Sequence, residues 1–117
     1  MRRLILAAGM VLASAAPAWA AQNILTWQDN SGNEANFHVE RTTAADVPAC
    51  QTATGFAQIA TTGANIVTFT DAAASEGLTY CYRVKASNPA GSSGYSNIAG
   101  RTVPFTVPAA PSALTIN

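Results

Sequence analysis

The stretch TYCYRVKA, residues 79–86, decides the fold class of this chain. Aromatic and aliphatic side chains occupy every second position along it, a spacing that predicts a β-strand. Tyr80, Tyr82 and Val84 then face the core, whereas Cys81 faces outward together with the two basic residues. The residues that follow, SNPAGSSG, combine an Asn-Pro pair with two glycines and predict a turn.

The rest of the chain repeats this pattern of short alternating runs separated by turn-forming residues. NILTWQD, FHVERT, FAQIATT and IVTFTD alternate in the same way, and turn signals recur about every eight to twelve positions. No run outside the first twenty residues has the 3.6-residue period of an amphipathic helix. The sequence therefore predicts an all-β domain of two facing sheets. Its predicted core residues are Leu25, Trp27, Phe37, Val39, Phe69, Tyr80, Tyr82 and Val84.

The outward faces of these strands are predicted to be polar. His38 and Glu40 should face water, and Glu40 should reach a basic side chain on the neighbouring strand, a contact worth only a few tenths of a kcal/mol. YSNIAGRTV, residues 95–103, is predicted to form the last strand of the body.

The N-terminal residues have the pattern of a secretory signal peptide. Arg2 and Arg3 precede an apolar stretch, Leu4–Ala16, and the small residues flanking Trp19 form a cleavage signal. We expect Met1–Ala20 to be removed and the protein to be secreted, whether to the periplasm, the cell surface or the medium. An uncleaved N-terminal anchor is the alternative.

Removal of the signal leaves 97 residues, Ala21–Asn117, enough for one small domain. Four basic residues then stand against six acidic ones, a net charge of −2. This balance predicts neither nucleic acid nor an anionic membrane as a partner. No later stretch approaches the ~20 apolar residues of a membrane span.

Two cysteines, Cys50 and Cys81, remain in the exported chain, and an even pair in this context predicts a disulfide. They lack the C-x-x-C spacing of a metal or redox site, and the single histidine, His38, completes no zinc shell. Oxygen-bearing side chains crowd residues 29–36, but without EF-hand spacing they are better explained as turn formers. We therefore expect no metal and no cofactor.

In LTWQDNSGNEANFHVER and GLTYCYRVKASNPAGSSGYSNIA the sequence resembles the fibronectin type III family, as found in bacterial secreted proteins. The resemblance covers roughly residues 23–103 and implies an immunoglobulin-like sandwich. Trp27 matches the core tryptophan of the family's second strand, and Tyr80 matches its tyrosine-corner residue. Ala74 stands where the family usually has leucine, and Leu78 is expected to compensate in part.

The family's first strand has no counterpart between the predicted cleavage site and Trp27. A similar strand stands at the other end of the chain, APSALTI, residues 110–116, in which Leu114 and Ile116 share one face after Pro111. We therefore divide the chain into the signal peptide (1–20), the sandwich (21–103) and an extended linker with a candidate donor strand (104–117).

Three roles for this C-terminal strand stay open at the level of sequence. It could complete a neighbouring subunit, fold back on its own edge, or be a passive tail. In the family the first and last strands run in the same direction, so the linker PFTVPAA would have to return the full length of the domain to reach its own edge. Its two prolines favour an extended path instead.

No nucleophile motif or paired catalytic group accompanies this pattern, so we expect no enzyme. The first functional hypothesis is a secreted structural subunit that self-associates head-to-tail by C-terminal strand donation into an extracellular or surface fibre. The alternative is a monomeric binding or adhesion module that recognises a carbohydrate or a protein through its loops. Because this fold hosts many functions, the resemblance alone does not decide between them.

Overall fold

The computed structural model describes residues 22–117, so the predicted signal peptide lies outside the described residues. Seven strands and one 3-10 helix, Pro48–Thr52, follow one another along the chain. The strands are β1 Asn23–Thr26, β2 Asn36–Ala44, β3 Ala57–Gly63, β4 Thr68–Asp71, β5 Thr79–Asn88, β6 Gly91–Ser92 and β7 Ala99–Thr102.

The strands form two antiparallel sheets. The small sheet pairs β1 with β4, and the large sheet has the order β3-β2-β5-β6, with β7 also pairing with β5. β5 is the longest strand and makes a nine-residue ladder with β2, from Asn36↔Ser87 to Ala44↔Thr79. The prediction of an all-β, two-sheet sandwich is confirmed.

The core lies between the two sheets. Phe37, Val39, Tyr80, Tyr82 and Val84 are buried there, on the inward positions that the alternation indicated. The other three predicted core residues pack against this cluster but are only half-buried: Leu25, Trp27 and Phe69. All three belong to the small sheet or directly follow it, which places the incomplete side of the core there.

The connection from β4 to β5 turns around Tyr80. The hydroxyl of Tyr80 accepts a hydrogen bond of 2.8 Å from the backbone N–H of Ser75, five residues upstream, as expected for a tyrosine corner. Ala74 is buried in the core, but Leu78 is 47% exposed. The expectation that Leu78 compensates for the small Ala74 is wrong, because Leu78 lies on the outer side of the turn.

The predicted disulfide between Cys50 and Cys81 is present, with the two Cα atoms 5.4 Å apart. Cys81 points away from the core between the sheets, as its position in the alternation indicates, but it is not exposed to solvent. The 3-10 helix carries Cys50 over this face, and both cysteines are fully buried. The bridge therefore creates a second, small buried layer on the outside of the large sheet.

Two expectations about polar residues are corrected by the structure. Glu40 is buried rather than facing water, because Arg83 at 2.8 Å, Tyr95 at 3.0 Å and Lys85 at 3.9 Å surround its carboxylate. The guanidinium of Arg83 is itself stacked between the rings of Phe56 and Tyr95, 4.2 and 3.7 Å from their centroids. Glu40 thus belongs to a stacked and hydrogen-bonded cluster.

The last strand is shorter than predicted, Ala99–Thr102 instead of residues 95–103. Segment 93–97 still follows β5, but serine hydroxyls replace part of the ladder. Ser93 Oγ accepts from the N–H of Ala86 and Ser96 Oγ accepts from the N–H of Val84, at 2.9 and 3.0 Å. Because these acceptors are side chains, the backbone of the segment leaves the regular strand path.

Candidate functional site at the free edge of the small sheet

β1 has a hydrogen-bonded neighbour on one side only. Its register with β4 runs from Asn23↔Asp71 to Thr26↔Thr68, and the N–H of Trp27 continues it by donating to the carbonyl of Val67 at 3.0 Å. In an antiparallel ladder successive residues direct their backbone groups to opposite sides, so Ile24 and Thr26 direct theirs away from β4. Within residues 22–117 no strand pairs with this free edge.

An open groove of about 870 Å³ runs along the free edge of β1. One wall is β1 itself, and the other is formed by residues 93–101, which include most of β7. Apolar and aromatic side chains contribute to its lining, including Leu25, Trp27, Phe37 and Val84. The groove explains why Leu25 and Trp27 are half-buried, since core side chains reach its floor. We call this feature the edge groove.

Trp27 marks one end of the edge groove. Its ring packs edge-on against Phe37, with centroids 5.6 Å apart and planes at 62°. Its indole Nε1–H is buried but has no hydrogen-bond acceptor among the described residues. Because buried donors in native structures nearly always have a partner, this one indicates that the site lacks an element.

The other end of β1 is held by a buried polar network. Asn23 Nδ2 donates to the Tyr82 hydroxyl at 2.8 Å, and this hydroxyl donates to Asp71 Oδ2 at 2.7 Å. Arg41 Nη1 donates to the same carboxylate oxygen at 2.7 Å. From the opposite wall, Arg101 Nη1 donates to the Asn23 side-chain oxygen at 2.6 Å. The network ties β1 to β5 and β7 across the sandwich.

The network determines the ionisation of its members. Burial opposes ionisation of Asp71, but hydrogen bonds from Tyr82 and Arg41 outweigh it and hold the pKa of this carboxyl below its ordinary value. Burial also raises the pKa of Tyr82, as does the adjacent Asp71. Burial likewise opposes ionisation of Glu40, but hydrogen bonds from Arg83 and Tyr95 lower its pKa.

We expect the stability of the domain to fall in acid because of these two carboxylates. A group whose pKa is lower in the folded than in the unfolded chain stabilises the fold above its unfolded pKa, about 4, and this contribution is lost as the pH falls through the folded pKa. Thermal unfolding midpoints between pH 7 and pH 2 should therefore decrease below about pH 4. Glu40→Gln should flatten this decrease; an equally steep curve would contradict the assignment for Glu40.

The residues after β7 divide into a docked and a free part. Val103 is fully buried, and its backbone bonds both Leu78 and Gly77. Phe105 covers Gly77, where an added Cβ would collide with the ring. Thr106 is held by Glu76, with its N–H 3.2 Å from Oε1 and its hydroxyl 2.8 Å from Oε2.

From Val107 onward the chain, here called the tail (residues 107–117), is exposed and forms no regular element. Leu114 and Ile116 are 93% and 95% exposed, and Pro111 is also exposed. Ala113 has φ = 57°, in the left-handed region that a residue other than glycine adopts rarely. The tail described here is therefore not a strand and does not occupy its own edge groove.

The sequence-predicted site residues thus lie in three places. Cys50 and Cys81 are joined on the outer face of the large sheet, the core residues lie between the sheets, and Pro111, Leu114 and Ile116 lie in the tail. The sequence did not indicate the clamp between Glu76 and Thr106 or the network around Asp71. In the described part of the chain, no cluster of His, Cys, Asp and Glu could hold a metal ion. None of the helices described is long and apolar enough to cross a membrane.

Comparison with known proteins identifies the architecture. A domain of human fibronectin type III domain containing protein 3 superposes on 80% of this chain and 81% of its own length, with a TM-score of 0.59 and 14% identity. The fold is that of a fibronectin type III domain. No family model matches the sequence, and no curated protein matches it.

Two larger structures contain regions with the same fibronectin type III likeness. The twitchin kinase region of C. elegans is 20% identical over 73% of this chain, with a TM-score of 0.58, and the match spans 14% of that structure. A pectate lyase from Pectobacterium carotovorum is 27% identical over 82% of this chain, with a TM-score of 0.56, and the match spans 26% of that structure. The fold is typical of non-catalytic structural or binding modules.

Proposed function

We propose that this protein is a secreted, non-catalytic structural subunit that self-associates head-to-tail. The donor segment, Ala110–Ile116 of one copy, adds a strand to the free edge of β1 in the next copy and fills its edge groove, which builds an extracellular or surface fibre. One observation carries the proposal. A groove with an unpaired strand edge and a strand-like segment with two exposed apolar residues occur in the same chain.

The chemistry of segment and groove is complementary. The backbone groups of Ile24 and Thr26 are available for a ladder, and strand addition to such an edge is a common mode of recognition. Leu114 and Ile116, two residues apart, would both face the groove floor and contribute about 1.5–3 kcal/mol each on burial. An added strand would also bring acceptor groups towards the end of the groove marked by Trp27.

The topology favours an open chain of copies. We call the end of the sandwich near Asn23, Asp71, Thr79 and Thr102 the exit end, since the tail leaves there, and the opposite end the distal end. A strand antiparallel to β1 must begin at the distal end and finish at the exit end. The exit end of one copy therefore faces the distal end of the next, a heterologous contact that propagates unless it closes into a ring.

Secretion rests on the predicted signal peptide and is compatible with the disulfide and the all-β fold. The bridge between Cys50 and Cys81 needs an oxidising compartment to form and persist. Low net charge and the absence of a membrane-crossing helix among residues 22–117 add no other partner to the proposal.

The proposal is tested by placing charges on the groove-facing positions of the donor segment. The double variant Leu114→Asp, Ile116→Asp should raise the dissociation constant of the assembly at least ~100-fold, because two carboxylates would enter an apolar groove. Thr115→Asp is the matched control, since this residue faces away from the groove in the same strand. Light scattering gives the mass in solution, and negative-stain microscopy shows whether filaments form.

Three outcomes are informative. Filaments that persist in Thr115→Asp but are lost in the double variant support strand donation. Assembly that survives the double variant contradicts it. A wild-type protein that stays monomeric at millimolar concentration also contradicts it and favours the monomeric binding module instead.

A further inference from the structure

The contact between Glu76 and Thr106 fixes the point from which the tail departs. Both carboxylate oxygens are engaged, one by the backbone N–H and the other by the hydroxyl of Thr106. The neighbouring Phe105 covers Gly77, whose φ of 82° suits glycine. These two contacts dock residues 105–106 on the loop between β4 and β5, at the exit end. We call this contact the clamp.

The clamp lies away from the chain's own edge groove. The residues that line the groove come from segments 23–37 and 82–101, and none comes from the loop 72–78 that holds the clamp. That loop starts from β4, which lies on the opposite side of β1 from the free edge. A clamped tail therefore starts on the wrong side of the small sheet as well as at the wrong end of the groove.

From these positions we infer that the clamp directs the donor segment to a second copy by keeping it out of reach of its own groove. The inference rests on the proposed function. To complete its own β1 in the antiparallel direction, Pro111 must first reach the distal end. Residues 23–28 alone span about 17 Å at ~3.3 Å per residue, and the sheets are ~10 Å apart, so the path is at least ~20 Å.

The length of free chain decides whether this path is possible. With Thr106 held, five Cα–Cα steps lead to Pro111 and span at most ~17–18 Å, which is too short even when fully stretched. With the clamp released, the last fixed residue is Val103, and eight steps span up to ~26–29 Å. The clamp thus separates two regimes: donation to a neighbour when closed and self-completion when open.

The test compares variants that open the clamp with one that preserves it. Glu76→Ala removes both acceptors and Thr106→Val removes the hydroxyl, whereas Glu76→Gln retains an acceptor for the N–H and offers its amide to the hydroxyl. Light scattering at fixed concentration gives the ratio of monomer to assembly. Because an intramolecular strand benefits from a high effective concentration, this ratio should rise roughly tenfold in Glu76→Ala and less in Thr106→Val. Glu76→Gln should remain close to wild type.

A second measurement identifies the monomers that accumulate. If the clamp acts as inferred, backbone amides of residues 112–116 in monomeric Glu76→Ala are protected from hydrogen exchange, and adding Leu114→Asp and Ile116→Asp removes this protection. Trp27, the single tryptophan after residue 20, verifies by its fluorescence that the variants fold.

The outcomes separate the inference from the proposed function. If wild type assembles and the double Asp variant does not, but Glu76→Ala assembles like wild type, the clamp plays no part and strand donation stands. Monomers of Glu76→Ala with unprotected residues 112–116 also overturn the inference. If neither Glu76→Ala nor the double Asp variant differs from a monomeric wild type, the clamp inference and the proposed function fail together.

Discussion

Replacement of both Cys50 and Cys81 by alanine is expected to lower the free energy of unfolding by about 3–4 kcal/mol. The bridge closes a loop with a sequence separation of 31, which restricts the unfolded chain. Both cysteines are fully buried, so their truncation also removes packing beneath the 3-10 helix. For a domain of this size, such a loss is a large part of the total stability.

The effect should reach the wall of the edge groove. Gly100 of β7 lies against the bridge, since a Cβ there would come within 2.7 Å of Cys50 Sγ, and Gln51 Nε2 donates to the carbonyl of Ile98 at 3.1 Å. Urea unfolding of the variant and of the wild type, each with and without reductant, measures the change. Reduced wild type should resemble the variant, and a difference below about 1 kcal/mol between oxidised wild type and variant would contradict the prediction.

The alternating stretches predicted most of the sandwich because their period of two reflects burial of one strand face. Phe37, Val39, Tyr80, Tyr82 and Val84 all lie on the inward positions that this period indicates. The tyrosine corner was also predictable, since a motif of fixed spacing places the Tyr80 hydroxyl near the preceding loop. These features depend on residues close together in sequence.

Features that depend on cross-strand partners were not predictable in this way. Alternation assigns Glu40 and Cys81 correctly to the outer face, but it does not show that Tyr95 and the 3-10 helix cover that face. The end of the last strand was missed for a similar reason, because Ser93 and Ser96 replace backbone acceptors of the ladder. The sequence carries no local signal for such contacts.

The donor segment shows the same dependence on a partner. Its composition and the spacing of Leu114 and Ile116 predict a strand, yet the described tail is exposed and bent at Ala113. A strand needs a ladder partner to satisfy its backbone, and the clamp at Thr106 holds the segment away from the nearest free edge. The proposal that it becomes a strand on a second copy is therefore consistent with both the pattern and the structure.

Asp71→Ala is expected to destabilise the domain by about 2–3 kcal/mol and to weaken the acceptor edge. The substitution removes the common acceptor of the Tyr82 hydroxyl and the Arg41 guanidinium. Arg41 is 26% exposed, so water recovers part of the lost interaction and keeps the cost below that of a fully buried pair. Asp71→Asn, which retains an acceptor of the same shape, should cost less.

The consequence for assembly follows from the position of the network. β1 is held by a four-residue ladder with β4 and by Asn23, which bonds Tyr82 within the Asp71 network. Copies carrying Asp71→Ala should therefore donate normally but accept poorly, whereas copies carrying Leu114→Asp and Ile116→Asp should accept but not donate. Mixed in equal amounts below the unfolding temperature, the two variants should form dimers and no longer assemblies, as measured by light scattering. Filaments in this mixture would show that the free edge of β1 is not the acceptor, since neither variant has both a competent donor segment and an intact acceptor edge.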